Sequence, residues 1–167
     1  TESKKEAVVS SMTKEDIKLE LRAFSDGKVI TLKELNDGVF SEGVVGEGLA
    51  VIPDGDMVYA PCEATVSLVM ADTKHAVGLK LDNGVELILH VGIDTVNMKG
   101  EGFEYFVGKG QRIRAGEKLI KFDKEKIKEA GHKDEVVCVI TSPNAKNIKF
   151  HTGLLAKAND TVIIEFN

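Results

Sequence analysis

The sequence predicts an all-β protein, an antiparallel β-sandwich of barrel-sandwich type with at most short helices. Three observations carry this. Turn signals recur at short intervals from Gly27 onward: "SDGK", "NDG", "PDGD", "DNG", "KGEG", "GKG", "AGE" and "SPN". The stretches between them are short and apolar, in a chain with 43% apolar residues, 16 glycines and no Trp, so Val, Ile and Leu must supply most of the core. Only "DKEKIKEAG" breaks the pattern; Asp123 can cap a short helix, Ile127 and Ala130 share a face, and Gly131 can end it.

The elements follow in order. Residues 1–13, "TESKKEAVVSSMT", read as a polar linker or disordered arm, and residues 14–167 as one domain. "DIKLELRAF" alternates, with Ile17, Leu19, Leu21 and Ala23 on one face of a strand; a capping box at Thr13 and Asp16 is the helical alternative. "MVYAPCEATVSL" and "GQRIRAGEKLIKF" share a strand, turn, strand form, and "TVIIEF" is a closing strand. A chain that opens on Thr1 reads as an excised or processed domain.

Charge and cysteine use narrow the function classes. A net charge of −5 with scattered lysines argues against binding a nucleic-acid backbone. No apolar run has the length of a membrane span, and no secretory segment is visible. Cys62 and Cys138 lie far apart without CxxC spacing, so they read as free buried thiols in a reducing, cytoplasmic setting.

"HAVGLKLDNGVELILH" begins on His75 and ends on His90, two of the four histidines. Asn83-Gly84 is a strong hairpin signal, because a type I′ turn needs positive φ at both central positions. With that two-residue loop, His90 falls opposite Val77 and His75 opposite Gly92. His75, Val77, Leu79 and Leu81 then share a face with Glu86, Ile88 and His90, with the two histidine Cα atoms roughly 7–8 Å apart. Val85, Leu87, Leu89 and Val91 face the core. A turn at Asp82-Asn83 would set the histidines directly opposite, and a three-residue loop would send them to opposite faces.

The residues alone leave four readings open. The pair could be two unrelated histidines, two metal ligands, a general acid and base, or a nucleophile with a hydrogen-bonding partner. A zinc hydrolase using His75, His90 and Asp94 would be expected to show HxH or HExxH spacing, and Ile88 stands where HxH needs its first histidine.

Longer stretches narrow the choice. "TKHAVGLKLDNGVELILHVGIDTV" followed by "KGEGFE", with "DGVFSEGVVGEGLAVIP" upstream and "GQRIRAGEKLIKFD" downstream, resembles the glucose-type enzyme IIA of the bacterial phosphoenolpyruvate-dependent sugar phosphotransferase system over residues 24–166. The resemblance implies an antiparallel β-sandwich. It implies that His90 is the phosphoacceptor, modified at Nε2, charged by the histidine phosphocarrier protein and discharged to a cysteine of a IIB domain. By the same resemblance, His75 hydrogen-bonds the phosphoryl group and is needed for onward transfer, Thr73 orients the network, and Asp94 lies near the partner interface. A docking patch of Phe40, Val44, Val45, Met70, Ile88 and Val96 follows by position. Backbone N–H groups of Val91, Gly92 and Ile93 are candidate donors to the bound group.

The resemblance calls for no required cofactor, although a histidine pair leaves zinc at His75 and His90 open. It allows a regulatory phospho-domain fused to a transporter, so the membrane enters only through a permease. Aliphatic residues at Val77, Ile88 and Met70 replace aromatics common around such sites. His132 and His151 are assigned no role. "NMKG" resembles the Met-Lys turn of biotinyl carrier domains but lacks the flanking Met on the far side.

Overall fold

Closely spaced turns and alternating apolar residues give fourteen short strands and two short helices in the computed structural model, which describes residues 18–142, 145 and 147–166. The arm at 1–13, the Thr13/Asp16 capping box and the strand start at Ile17 lie outside the described residues.

Every strand pair among the described residues is antiparallel. One three-stranded sheet runs β1 (Leu19–Arg22), β14 (Val162–Phe166), β12 (Ile148–Phe150). A second runs β4 (Met57–Tyr59), β10 (Lys118–Phe122), β8 (Phe103–Tyr105). The largest holds eight strands in the order β13 (Leu155–Ala156), β2 (Gly27–Thr31), β3 (Glu47–Pro53), β11 (Val136–Ile140), β7 (Glu86–Val91), β6 (Ala76–Leu81), β5 (Ala64–Val69), β9 (Arg112–Ile113). The two strand, turn, strand segments seen in the sequence exchange partners: β4 pairs with β10 and β5 with β9.

The main core fills the space between these layers with Leu49, Val51, Leu79, Leu87, Leu89, Ile120 and Phe122 among its members. Both cysteines are buried free thiols within it, and burial pushes each thiol up to about 12, so neither is a nucleophile at neutral pH. The helix of "DKEKIKEAG" forms as α2 (Lys124–Glu129), capped by Asp123 accepting the Lys126 N–H. Ile127 is buried, but Ala130 is exposed and does not share its contact with the core.

A second, smaller core lies on the outer side of the large sheet. Ile30, Ala50, Val137 and Val139 meet Leu32 and Leu35 of α1 (Leu32–Leu35), with Phe40 and Ile93 packed against them. Every residue of β11 is therefore buried, covered on both faces. On the neighbouring β7, Ile88 and His90 remain half-buried on the outer face while Leu87, Leu89 and Val91 fill the core.

The hairpin register differs from the one the Asn-Gly signal predicts. Ala76 pairs with His90, Gly78 with Ile88 and Lys80 with Glu86. The Leu81 N–H bonds the Val85 carbonyl at 2.8 Å, which leaves a three-residue loop, Asp82 to Gly84. Only Gly84 takes a left-handed φ, +86°, whereas a type I′ turn needs two such residues. Asn83 instead turns its buried side chain inward and accepts the Val85 N–H at 3.0 Å, the local hydrogen bond that Asn favours in turns. Val77, Leu79 and Leu81 therefore point into the core, and β6 presents Ala76, Gly78 and Lys80 on the side of His90.

Strand parity alone would now separate the histidines. His75 escapes it by preceding β6 and following Lys74, whose φ is +52°. Period-two alternation does not reach a residue at such a bend.

Candidate functional site

The outer face of β7 and the segment before β6 bring His75 and His90 together. Their rings lie 4.6 Å apart, centroid to centroid, and nearly perpendicular at 85°. Phe40, from the 3₁₀ turn Phe40–Glu42, sets its ring 5.2 Å from His90 at 61°. Asp37 holds that turn by accepting the Phe40 N–H at 3.0 Å and the Ser41 N–H at 2.8 Å.

His90 Nδ1 makes a 2.8 Å hydrogen bond with the Gly92 carbonyl. A carbonyl only accepts, so Nδ1 carries the proton and Nε2 keeps its lone pair. The turn that aims this carbonyl requires glycine: Gly92 has φ +75°, and a Cβ there would lie 2.4 Å from Thr95 Cγ2. Thr95 is fully buried and its hydroxyl donates to the Val91 carbonyl at 2.5 Å.

The N–H groups expected to receive an anion are already used. Val91 N–H bonds the His75 carbonyl at 2.7 Å, Gly92 N–H the Glu135 carbonyl at 2.8 Å, and Ile93 N–H the Lys133 carbonyl at 3.0 Å. Sheet pairing and its extension past Val91 claim them first.

The pair is electrically neutral at rest. Burial, and then the facing His90, lower the His75 pKa to about 4. Burial also lowers His90, opposed by the Gly92 hydrogen bond and by the charges of Asp37 and Asp94. His75 is 2% exposed and its Nδ1 has no hydrogen-bond partner among the described residues. Buried unpaired groups are rare enough to call for a role, and this one belongs to the ring packed against His90.

Thr73 sits half-buried in the turn before His75, and among the described residues its hydroxyl makes no hydrogen bond to either imidazole. Val44, Val45, Met70 and Val96 are all exposed, Val44 by 81%. Val44 and Val45 follow the Phe40 turn, Met70 precedes the turn that carries His75, Val96 lies in the 3₁₀ turn Thr95–Met98, and Ile88 is two residues from His90 on the same face. Asp94 is exposed, in a left-handed conformation at the start of the 3₁₀ turn Thr95–Met98. Val77 does not flank the pair, because the corrected register buries it.

Sequence reading missed Asp37, Val39 and the Gly92 carbonyl. "NDG" was visible as a turn, but a carboxylate capping the next turn leaves only the Asp-x-x-Phe spacing as a signal. Val39 is 53% exposed beside Phe40. A backbone carbonyl leaves no side-chain signal beyond the glycine itself.

Among the described residues no three His, Cys, Asp or Glu side chains gather as a metal-binding group, so the zinc-hydrolase arrangement lacks its third ligand. No helix among them is long and apolar enough to cross a membrane. A groove of about 640 Å³ lined by Asp56, Glu104, Lys121 and Asp123 includes none of the histidine-face residues.

A β-sandwich that sets two facing histidines on the outer side of its large sheet fits the class of proteins that pass a group between molecules. Residues 19–146 match the family described as phosphoenolpyruvate-dependent sugar phosphotransferase system, EIIA 1, and the chain belongs to it. It is a phosphotransferase component of sugar transport. Similar relatives are the glucose-specific EIIA components of Bacillus cereus and Bacillus anthracis, each 39% identical over 140 residues, covering 83% of this chain and 84% of the relative. The structure is similar to glucose permease IIA from Mycoplasma capricolum, with a TM-score of 0.81 and 32% identity, covering 91% of this chain and 97% of that one.

Proposed function

We propose that His90 Nε2 takes a phosphoryl group from the phosphohistidine of a histidine phosphocarrier protein and yields it to a cysteine of a IIB domain. The observation that carries this reading is the 2.8 Å bond between His90 Nδ1 and the Gly92 carbonyl, which leaves Nε2 with its lone pair on the outer side of the large sheet. In the first step the Nε2 lone pair bonds phosphorus while the donor's N–P bond breaks and its electrons return to the donor imidazole. In the second, the IIB thiolate bonds phosphorus and the His90 N–P bond breaks. Such transfers need in-line approach and stabilisation of the equatorial oxygens more than covalent help.

His75 supplies that stabilisation. Neutral at rest, it can donate a hydrogen bond, and the charge arriving on His90 raises its proton affinity. With Val91, Gly92 and Ile93 N–H groups committed elsewhere, the imidazole is the side-chain donor left beside His90. Thr73 serves the turn before His75. Phe40, Val44, Val45, Met70, Ile88 and Val96 form the apolar dock, with Asp94 at its rim facing basic groups of the partner. No cofactor takes part. The substrate class is a hexose entering through a cognate permease in the cytoplasmic membrane, glucose by similarity to the named relatives.

Two variants test this. His90→Ala should accept nothing from the phosphorylated phosphocarrier. His75→Gln should accept but fail to charge a IIB domain. Normal sugar phosphorylation by His75→Gln would remove its assigned role.

A further inference from the structure

We infer that Tyr105 is a positioning residue for His75: its hydroxyl clamps the turn that carries the imidazole and so sets how it meets the phosphoryl group. This rests on the transfer reading above.

The β5–β6 ladder passes through Leu68 with Gly78 and Val69 with Val77. Its next rung would join Met70 to Ala76. The Tyr105 hydroxyl stands in that rung instead, accepting the Met70 N–H at 3.0 Å and donating to the Ala76 carbonyl. A hydroxyl can do both at once. Burial raises the phenol's pKa, so the proton it donates is held at neutral pH.

The clamp fixes where the strands part. Beyond it, Lys74 N–H closes on the Met70 carbonyl at 2.7 Å, and Gly100 lies so close that a Cβ would come 2.5 Å from the Asp72 carbonyl. The His75 carbonyl then takes the Val91 N–H. His75 is thus suspended between the Tyr105 rung and β7. Tyr105 is itself anchored in a different sheet, opposite Ile120, with its ring against the main core. The hydroxyl joins the second sheet to the turn that presents His75.

Acceptance needs only Nε2 of His90, whereas donation uses His75. Loosening the clamp should therefore separate the two steps. The test is Tyr105→Phe, which keeps the ring and removes the hydroxyl. Donation from the purified phosphoprotein to the IIB domain of a glucose permease should slow about tenfold. Acceptance from the phosphorylated phosphocarrier should stay within about twofold of wild type.

A general structural role would slow acceptance and donation alike, and that result overturns the inference. Amide exchange reads the clamp independently. Met70 N–H should exchange about tenfold faster in Tyr105→Phe, with Val69 unchanged. Unchanged Met70 exchange would remove the clamp. If His75→Gln alone donates normally, the role given to His75 fails, and the Met70 amide still decides whether the clamp exists.

Discussion

Gly92→Ala puts the construction of the site under direct strain. The glycine holds φ at +75°, which costs another residue about 1–2 kcal/mol. An added Cβ would lie 2.4 Å from Thr95 Cγ2 and 2.7 Å from the Lys133 carbonyl oxygen. Neither neighbour yields easily. Thr95 is fully buried and tethered to Val91, and the Lys133 carbonyl holds the Ile93 N–H at 3.0 Å. Overpacking of this kind adds about 1–3 kcal/mol. The sum, about 2–5 kcal/mol, should lower Tm by roughly 4–20 °C in a protein of this size. Thermal unfolding by circular dichroism measures it. Thr95→Ser, which removes the methyl and keeps the hydroxyl, should recover part of the loss. The phosphoryl acceptance rate should fall too, because the Gly92 carbonyl that fixes the His90 tautomer moves with the turn. A Tm within about 2 °C of wild type, with unchanged acceptance, would show that the turn admits a side chain at this position.

Three further outcomes are expected. The His75 pKa is held at about 4 against an ordinary 6.5, so the unfolded chain takes up this proton first as pH falls. Its contribution to stability is complete above pH 6.5 and is lost on descending to pH 4, up to about 3 kcal/mol, and His75→Gln should flatten that slope in urea unfolding across the same range. Asp94→Asn removes a charge that raises the His90 pKa, so that pKa should fall further in an NMR titration; a rise would contradict the electrostatics. Val44 is 81% exposed, so Val44→Asp should leave Tm within about 1 °C while raising KM for the phosphocarrier about tenfold or more.

Much of the fold was legible because alternation and turn chemistry act locally. Leu19 and Leu21, the Asp123 cap and the closing strand at Val162–Phe166 each follow from residues within a few positions of one another. The hairpin register was not, because Asn83 can either enter the left-handed region or bond its neighbour's N–H, and a buried side chain chose the second. That one-residue difference moved Val77 into the core and put Ala76 beside His90. The meeting of the two histidines was expected for a reason that does not hold; it comes from the bend at Lys74, not from strand parity. The Gly92 carbonyl, the committed N–H groups and the Tyr105 hydroxyl depend on pairings between segments distant in sequence, and no local pattern announces them.

His90 alone should carry the phosphoryl group. The protein would be incubated with phosphoenolpyruvate, enzyme I and the histidine phosphocarrier protein, digested at alkaline pH, and mapped by mass spectrometry. One acid-labile phosphoryl group is expected, confined to the peptide bearing His90 in both wild type and His75→Gln. A phosphoryl group on His75, His132 or His151, or labelling of His90→Ala, would contradict it.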